Sequence, residues 1–234
     1  MLAVIDSRAP QWLEDGLKRY GHTALRLPMH PALPRPVSAH PDMNLFFAKD
    51  RILCTEEYRR IAARELDQLS KAADRPIVTV TEKVGDRYPD DILLNAAPVG
   101  SFLFCNEAHT ASEVTEGYTV LAVRQGYAKC SVVPVSRNSL ITADPSIAST
   151  AERAELEVLS ISQASISLPG YDTGFLGGAS TLSPYTNIPE IYFCGNIASH
   201  PDGDAIIAFC ERHGKRAISL ADKPLIDVGT VFLI

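Results

Sequence analysis

Four times in 234 residues an apolar run ends on a small residue and a helix start follows at once. The runs are RILC-T at Cys54, FLFC-N at Cys105, SLIT-AD at Thr142 and IYFC-GN at Cys194. Recurrence of this kind constrains a fold more than any single motif. Each copy is one supersecondary unit that cannot bury its apolar face alone and has to pack on its neighbours. The helices after the runs carry their own punctuation. Thr55 can cap TEEYRRIAARELDQL, in which Tyr58, Ile61, Ala62, Leu66 and Leu69 make one stripe. Asn106 precedes a short helical stretch, SEVTEGY. Asp144 is a cap followed by a proline suited to the first helical position, and Gly214 can end the helix that opens at His200-Pro201.

A β-rich run follows each helix: PIVTV, TVLAV, LEVLSIS and RAISL. A further strand-like run precedes each repeat: MNLFFA, ILLNAAPV, AKCSVVPV and GFLGGAST. The chain therefore reads as four strand–strand–helix–strand units. The termini supply a fifth, with DVGTVFLI and MLAVID as its first two strands, PQWLEDGLKRYG as its helix and HTALRL as its last strand. Trp12, Leu13, Leu17 and Tyr20 form that helix's apolar face. A unit shared between the two ends closes a ring by strand pairing, as in propellers. The expectation is one α/β domain over 1–234, a five-bladed α/β propeller closed by the termini. A doubly wound parallel sheet is the alternative, but it needs neither the paired strands before each helix nor the recurring small residue.

Charge and composition exclude several functions. A net charge of -6 with no basic cluster argues against nucleic acid. The first apolar run ends at Asp6, too soon for a signal peptide or a membrane span. Five cysteines, none in a C-x-x-C pair, fit free thiols in the cytoplasm. His22, His30, His109 and His213 show no metal-ligand spacing, so neither a metal nor another cofactor is expected.

The architecture resembles that of the guanidino-group modifying enzymes, or penteins. HPDMNLFFAKD looks like the aspartate-led first strand of the dimethylarginine dimethylaminohydrolases. LLNAAPVGSFLFCNEAHT, QGYAKCSVVPVSRNSLITAD and DVGTVFLI fall where that family has its carboxylate, histidine and cysteine strands. HPDMN, QGYAKCS, YDTGFLGGAS and DVGT also resemble an uncharacterised bacterial family with this fold. The departures bear on activity. The family's nucleophilic cysteine falls at Val228 or Gly229, its histidine at Tyr127, and its carboxylate strand offers Asn95-Ala96-Ala97-Pro98. Without those groups the usual covalent guanidine hydrolysis does not carry over.

If the first strands line a central channel, alternate residues point inward. Asp42 with Asn44, Tyr127 with Lys129, and Asp227 with Gly229 each share a face, and Asn95 interrupts an apolar strand. These groups either satisfy one another as a polar plug or bind a ligand. As a ligand site, Asp42, Asn44, Asn95 and Asp227 hold a small polar, amino-acid-like or amidine-bearing molecule, the carboxylates suiting a cation. Lys129 takes a carboxylate or an anionic intermediate. His40, with Lys129 and Tyr127, is the acid–base candidate. Cys130 is a competing nucleophile, but strand alternation beside Lys129 turns it into the core. Cys54, Cys105, Cys194 and Cys210 read as core, and His200 as a helix-start residue. The GFLGGAS glycines suit close backbone packing better than a phosphate loop. Loops 28–41, 84–90 and 164–173, bearing Tyr88, Tyr171 and Asp172, can cover the channel mouth. The competing class is a non-enzymatic interaction protein of the kind represented by the ribosome anti-association factors, which use the same architecture. The oligomeric state is left open by the sequence.

Overall fold

The computed structural model describes residues 1–163 and 166–234. β1 (Leu2–Asp6) leads through α1 (Gln11–Arg19) to β2 (Thr23–Leu27), which pairs with it in parallel. Leu13 and Leu17 bury the inner face of α1, whereas Tyr20 lies past its end, exposed beside Tyr192. The next unit gains a strand in front. A single helical turn, α2 (Pro41–Asn44), runs into β3 (Phe46–Phe47), antiparallel to β4 (Ile52–Thr55). Thr55 Oγ1 accepts from the Tyr58 backbone N–H and starts α3 (Glu56–Ile61). The helix breaks at Ala62 and resumes as α4 (Ala63–Ala73), so Ile61 falls outside the buried stripe of Tyr58, Ala62, Leu66 and Leu69. β5 (Ile77–Val80) then pairs in parallel with β4.

The third unit is β6 (Ala97–Val99), β7 (Phe102–Cys105), the one-turn α5 (Ser112–Thr115) and β8 (Thr119–Ala122). The fourth is α6 (Ala128–Ser131), β9 (Val132–Ser136), β10 (Ser139–Thr142), α7 (Pro145–Arg153) and β11 (Glu157–Ser160). Asp144 Oδ1 caps α7 by accepting from Ser146 and Ile147. In the last stretch β12 (Thr181–Leu182) departs from the repeat. It does not enter the sheet of β13 (Glu190–Phe193) and β14 (Arg216–Ser219), on which α8 (Gly203–Arg212) packs; it meets β13 through a bridge from the adjacent Ser180 to Phe193 and a bond from Tyr192 N to Thr181 Oγ1 at 3.0 Å. It pairs instead with β15 (Val231–Leu233). β15 in turn runs antiparallel to β1, with Ala3 opposite Leu233 and Val4 opposite Phe232, so the two ends of the chain share a sheet. Among the described residues the strands fall into five small sheets. Cys54, Cys105, Cys194 and Cys210 are buried between sheets and helices, as packing residues. No helix among the described residues is long and apolar enough to cross a membrane.

Two segments correct the strand reading. Residues 41–44 and 128–131 are helical turns, not strand starts. Pro41 has its ring-fixed φ at a first helical position. Ser131 N closes a turn onto Tyr127 O at 3.0 Å. Successive side chains on a turn are about 100° apart rather than on opposite faces, so the alternation used for Asp42, Asn44, Tyr127, Lys129 and Cys130 does not apply.

Candidate functional site

The two turns bring Asp42 and Cys130 into contact. Cys130 Sγ donates to Asp42 Oδ2 at 3.2 Å, and Thr230 Oγ1 donates to the same oxygen at 2.8 Å. Asn95, in the turn before β6, ties the two together. Its Oδ1 accepts from the Lys129 backbone N–H at 2.8 Å, and its Nδ2 donates to the Asp42 carbonyl at 3.2 Å and to Cys130 Sγ at 3.3 Å. The DVGT segment closes the other side: Gly229 O accepts from Asp42 N at 3.1 Å. Asp227 Oδ1 and Oδ2 accept from Gly229 N and Phe175 N, each at 2.9 Å. Thr230 holds φ 60, a left-handed conformation that aims its hydroxyl at Asp42.

The GFLGGAS glycines are spacers for this cluster. A Cβ on Gly178 would stand 2.0 Å from Asp227 Oδ1, and one on Gly177 would strike the carbonyls of Cys130, Val132 and Lys129. Close backbone approach accounts for them.

His40 is buried, not a rim residue, and lies between two carboxylates. Its Nε2 is 3.8 Å from Asp6 Oδ2 and its Nδ1 is 3.9 Å from Asp227 Oδ1, both too long for hydrogen bonds. Asp6 is held from outside by Arg8, whose Nη2 bonds it at 2.6 Å. Burial lowers the His40 pKa, and Asp227 and Asp6 oppose that shift. Burial likewise raises Asp42 and Asp227 and lowers Lys129. The Cys130 thiol is pushed far up, by burial first and then by the carboxylates of Asp42 and Asp227. The Lys129 ammonium is completely enclosed. Its one hydrogen bond among the described residues goes to Val132 O at 3.3 Å.

Asp42, Asn95, Lys129, Cys130, His40 and Asp227 thus gather in one buried cluster. Two of the anticipated residues stand apart. Asn44 spends its Nδ2 on the carbonyls of Ser38 and His40, shaping the loop before α2. Tyr127 turns away and donates to Asp91 Oδ2 at 2.7 Å, a bond that joins burial in raising its pKa. Its ring lies near those of Tyr88 and Phe175. The loops pack on one another as well: Leu168 shares a cluster with Leu33, Val37 and Val84, and Gly170 lies against Pro36. Positions 164 and 165 of the third loop lie outside the described residues. Asp6 and Thr230 belong to the cluster and are not among the residues the sequence reading names. Asp6 had a signal, as a polar end to an apolar strand, and Thr230 stands in the DVGT already singled out.

A family model described as a family of unknown function (DUF6873) matches residues 4–232. No curated protein matches the chain. Among solved structures, DDAH from Pseudomonas aeruginosa, in complex with citrulline, is 12% identical with a TM-score of 0.53, over 94% of this chain and 92% of that one. Agmatine deiminase from C. jejuni is 6% identical with a TM-score of 0.57, over 94% and 87%. Both are guanidino-group modifying enzymes of the pentein superfamily, and this chain shares their mixed α/β fold.

Proposed function

The chain belongs to DUF6873, and from that premise we propose that it is a single pentein domain, 1–234, with a ligand site at its centre. The five sheets are blades of one ring, which the pairing of β15 with β1 closes. The buried cluster is the polar floor of a site for a small amino-acid-like or amidine- or guanidine-bearing molecule. The protein is a cytoplasmic enzyme or binding protein of a divergent guanidino-group modifying type. The observation that carries this is unmet bonding capacity. Asp42 Oδ1 and His40 Nδ1 are buried without a hydrogen-bond partner, and the Lys129 ammonium has one carbonyl contact and no ion pair among the described residues. A structural plug is expected to satisfy its members, because a half-satisfied buried network is costly. The citrulline bound by the DDAH of like fold supports an amino-acid-like ligand.

For an enzyme, the geometry favours Cys130 over Tyr127 as the reacting group. Its proton passes to Asp42 Oδ2, 3.2 Å away, and the sulfur bonds to the amidine carbon. The tetrahedral adduct collapses by breaking the carbon–nitrogen bond, the amine leaving with that proton and water then releasing the thiol. Lys129 stabilises the thiolate. His40, Asp227 and Asn95 position the centre, and Asp42 holds the cationic end of the substrate until it takes the thiol proton. Asn44 and Tyr127 then shape loops around the site rather than touch the ligand.

The second reading is a polar plug in a non-enzymatic interaction protein. A specific observation favours it: the void beside Asp42 and Lys129 holds about 10 Å³, room for one water, and is otherwise apolar. A thermal-shift screen of amino acids, guanidines and ureas separates the two. A hit that stabilises the wild type and is lost in Asp42→Asn supports the site. No hit, together with a large fall in melting temperature of the variant, supports the plug.

A further inference from the structure

Next to the cluster, on the other side of Ser131 and Phe175, a cavity of about 140 Å³ lies beyond the carboxyl ends of β10 and β11. Parallel α/β units commonly bind ligands beyond the strands' carboxyl ends. The wall includes Gln125, Ser131, Asp144, Ile166, Phe175 and His200, and no Lys or Arg. Two of these side chains are buried with a hydrogen-bonding atom that has no partner among the described residues, Ser131 Oγ and His200 Nε2. His200 Nδ1 accepts from the Asp202 backbone N–H at 3.0 Å, so the proton of the neutral ring is on Nε2, a donor without an acceptor. Asp144 uses Oδ1 on the start of α7, while its Oδ2 accepts a side-chain bond from Gln125 Nε2 at 3.2 Å and has a lone pair to spare. Burial alone would raise the Asp144 pKa, but the bonds from Ser146, Ile147 and Gln125 outweigh it and keep the carboxylate charged.

We propose that this cavity binds a small uncharged molecule with a primary carboxamide on a short apolar body, at a site separate from the central cluster. The amide N–H donates to Asp144 Oδ2. The amide oxygen accepts from His200 Nε2–H and Ser131 Oγ–H. Phe175 and Ile166 cover the alkyl part. An anion meets the charge of Asp144, and an ammonium ion has no acceptor to offer His200. A cavity near this size admits benzene, so a ligand of about six non-hydrogen atoms fits.

The test is an NMR titration of the full chain with butyramide, against the isosteric anion butyrate and butylammonium, a cation of like length. Butyramide should give saturable shifts confined to amides around 125–131, 143–146 and 174–176, with each charged probe weaker by about tenfold. Asp144→Asn keeps the helix cap and removes the charge. Ser131→Ala removes a hydroxyl without a partner, so it should leave the melting temperature unchanged or raised. Each variant should weaken butyramide about tenfold. Equal or tighter binding of a charged probe, variants that bind as the wild type does, or no saturable shift would overturn the proposal. A ligand of the central cluster responds to Asp42→Asn and not to Asp144→Asn, so the two sites fail independently.

Discussion

Replacing Asp42 by Asn asks whether the buried cluster carries charge, since the two side chains have nearly the same shape. An asparagine oxygen in place of Oδ2 still accepts from Thr230 at 2.8 Å and Cys130 at 3.2 Å. Both bonds become neutral, at a loss of about 1 kcal/mol each. The amide nitrogen takes the position of Oδ1, which has no partner, so one unsatisfied atom replaces another. The Lys129 ammonium is the larger matter. Asp42 is the foremost of the charges that favour it against burial. Stripping compensation from a buried charge costs about 3–5 kcal/mol when the charge is kept, and less when the group sheds its proton. Relief of the Asp42 desolvation offsets part of both losses. A net destabilisation of about 3 kcal/mol follows, and for a chain of this size that lowers the melting temperature by roughly 6–12 °C. Calorimetry of Asp42→Asn, Lys129→Met and the double variant is the measurement. The double variant should lose less than the sum of the singles, because each partner strands the other. An unchanged melting temperature for Asp42→Asn, or strict additivity, would refute the charge coupling between Asp42 and Lys129.

All five cysteines are free and buried, and burial raises the thiols of Cys54 and Cys210 to about 12 and that of Cys130 well above the usual range. A thiol reagent should therefore find no fast-reacting group in the folded protein and all five in denaturant; rapid loss of Cys130 would mean that the cluster stands open. Because burial lowers the pKa of His40, the unfolded chain takes up that proton first as pH falls below 6.5. The stability present above that pH is lost on acidification at up to about 1.4 kcal/mol per pH unit. His40→Gln should flatten this part of the stability–pH curve, and parallel curves would count against a buried neutral imidazole. Gly178→Ala forces a Cβ to within 2.0 Å of Asp227 Oδ1. Denaturant unfolding should show a loss of about 2 kcal/mol, and a neutral result would place Asp227 elsewhere.

The fold was legible where a local rule and a tertiary requirement coincide. Thr55 and Asp144 are caps in sequence and in structure because each has free backbone N–H groups two or three residues on. The apolar runs ending at Cys54, Cys105 and Thr142 are strands because both their faces are covered. Legibility fails for β12, whose pairing with β15 in place of β13 is decided by the return of the C-terminus, a contact remote in sequence. It fails at Ile61 for a smaller reason: a break after six residues rotates the rest of the stripe away from it.

The site shows a sharper limit. Asp42, Lys129 and Asp227 are singled out in the sequence by their faces on assumed strands, and Asn95 as a polar interruption of an apolar run; in the structure they meet. The rule used to sort faces assumed a period of two, and over 128–131 the period is that of a helical turn. On a strand, Lys129 and Cys130 cannot serve one site. On a turn, Lys129 N reaches Asn95 while Cys130 Sγ reaches Asp42. A cysteine dismissed as core is therefore a member of the cluster, and Tyr127, retained as acid–base, bonds to Asp91 instead. The expected family positions Val228 and Gly229 hold no thiol, yet the hydroxyl of Thr230 and the thiol of Cys130 converge on a single carboxylate oxygen. A carboxylate and a thiol meet in one buried cluster, the thiol coming from α6 rather than from the DVGT segment. A ligand that reacts here therefore has to reach the sulfur beside Asp42 and Asn95.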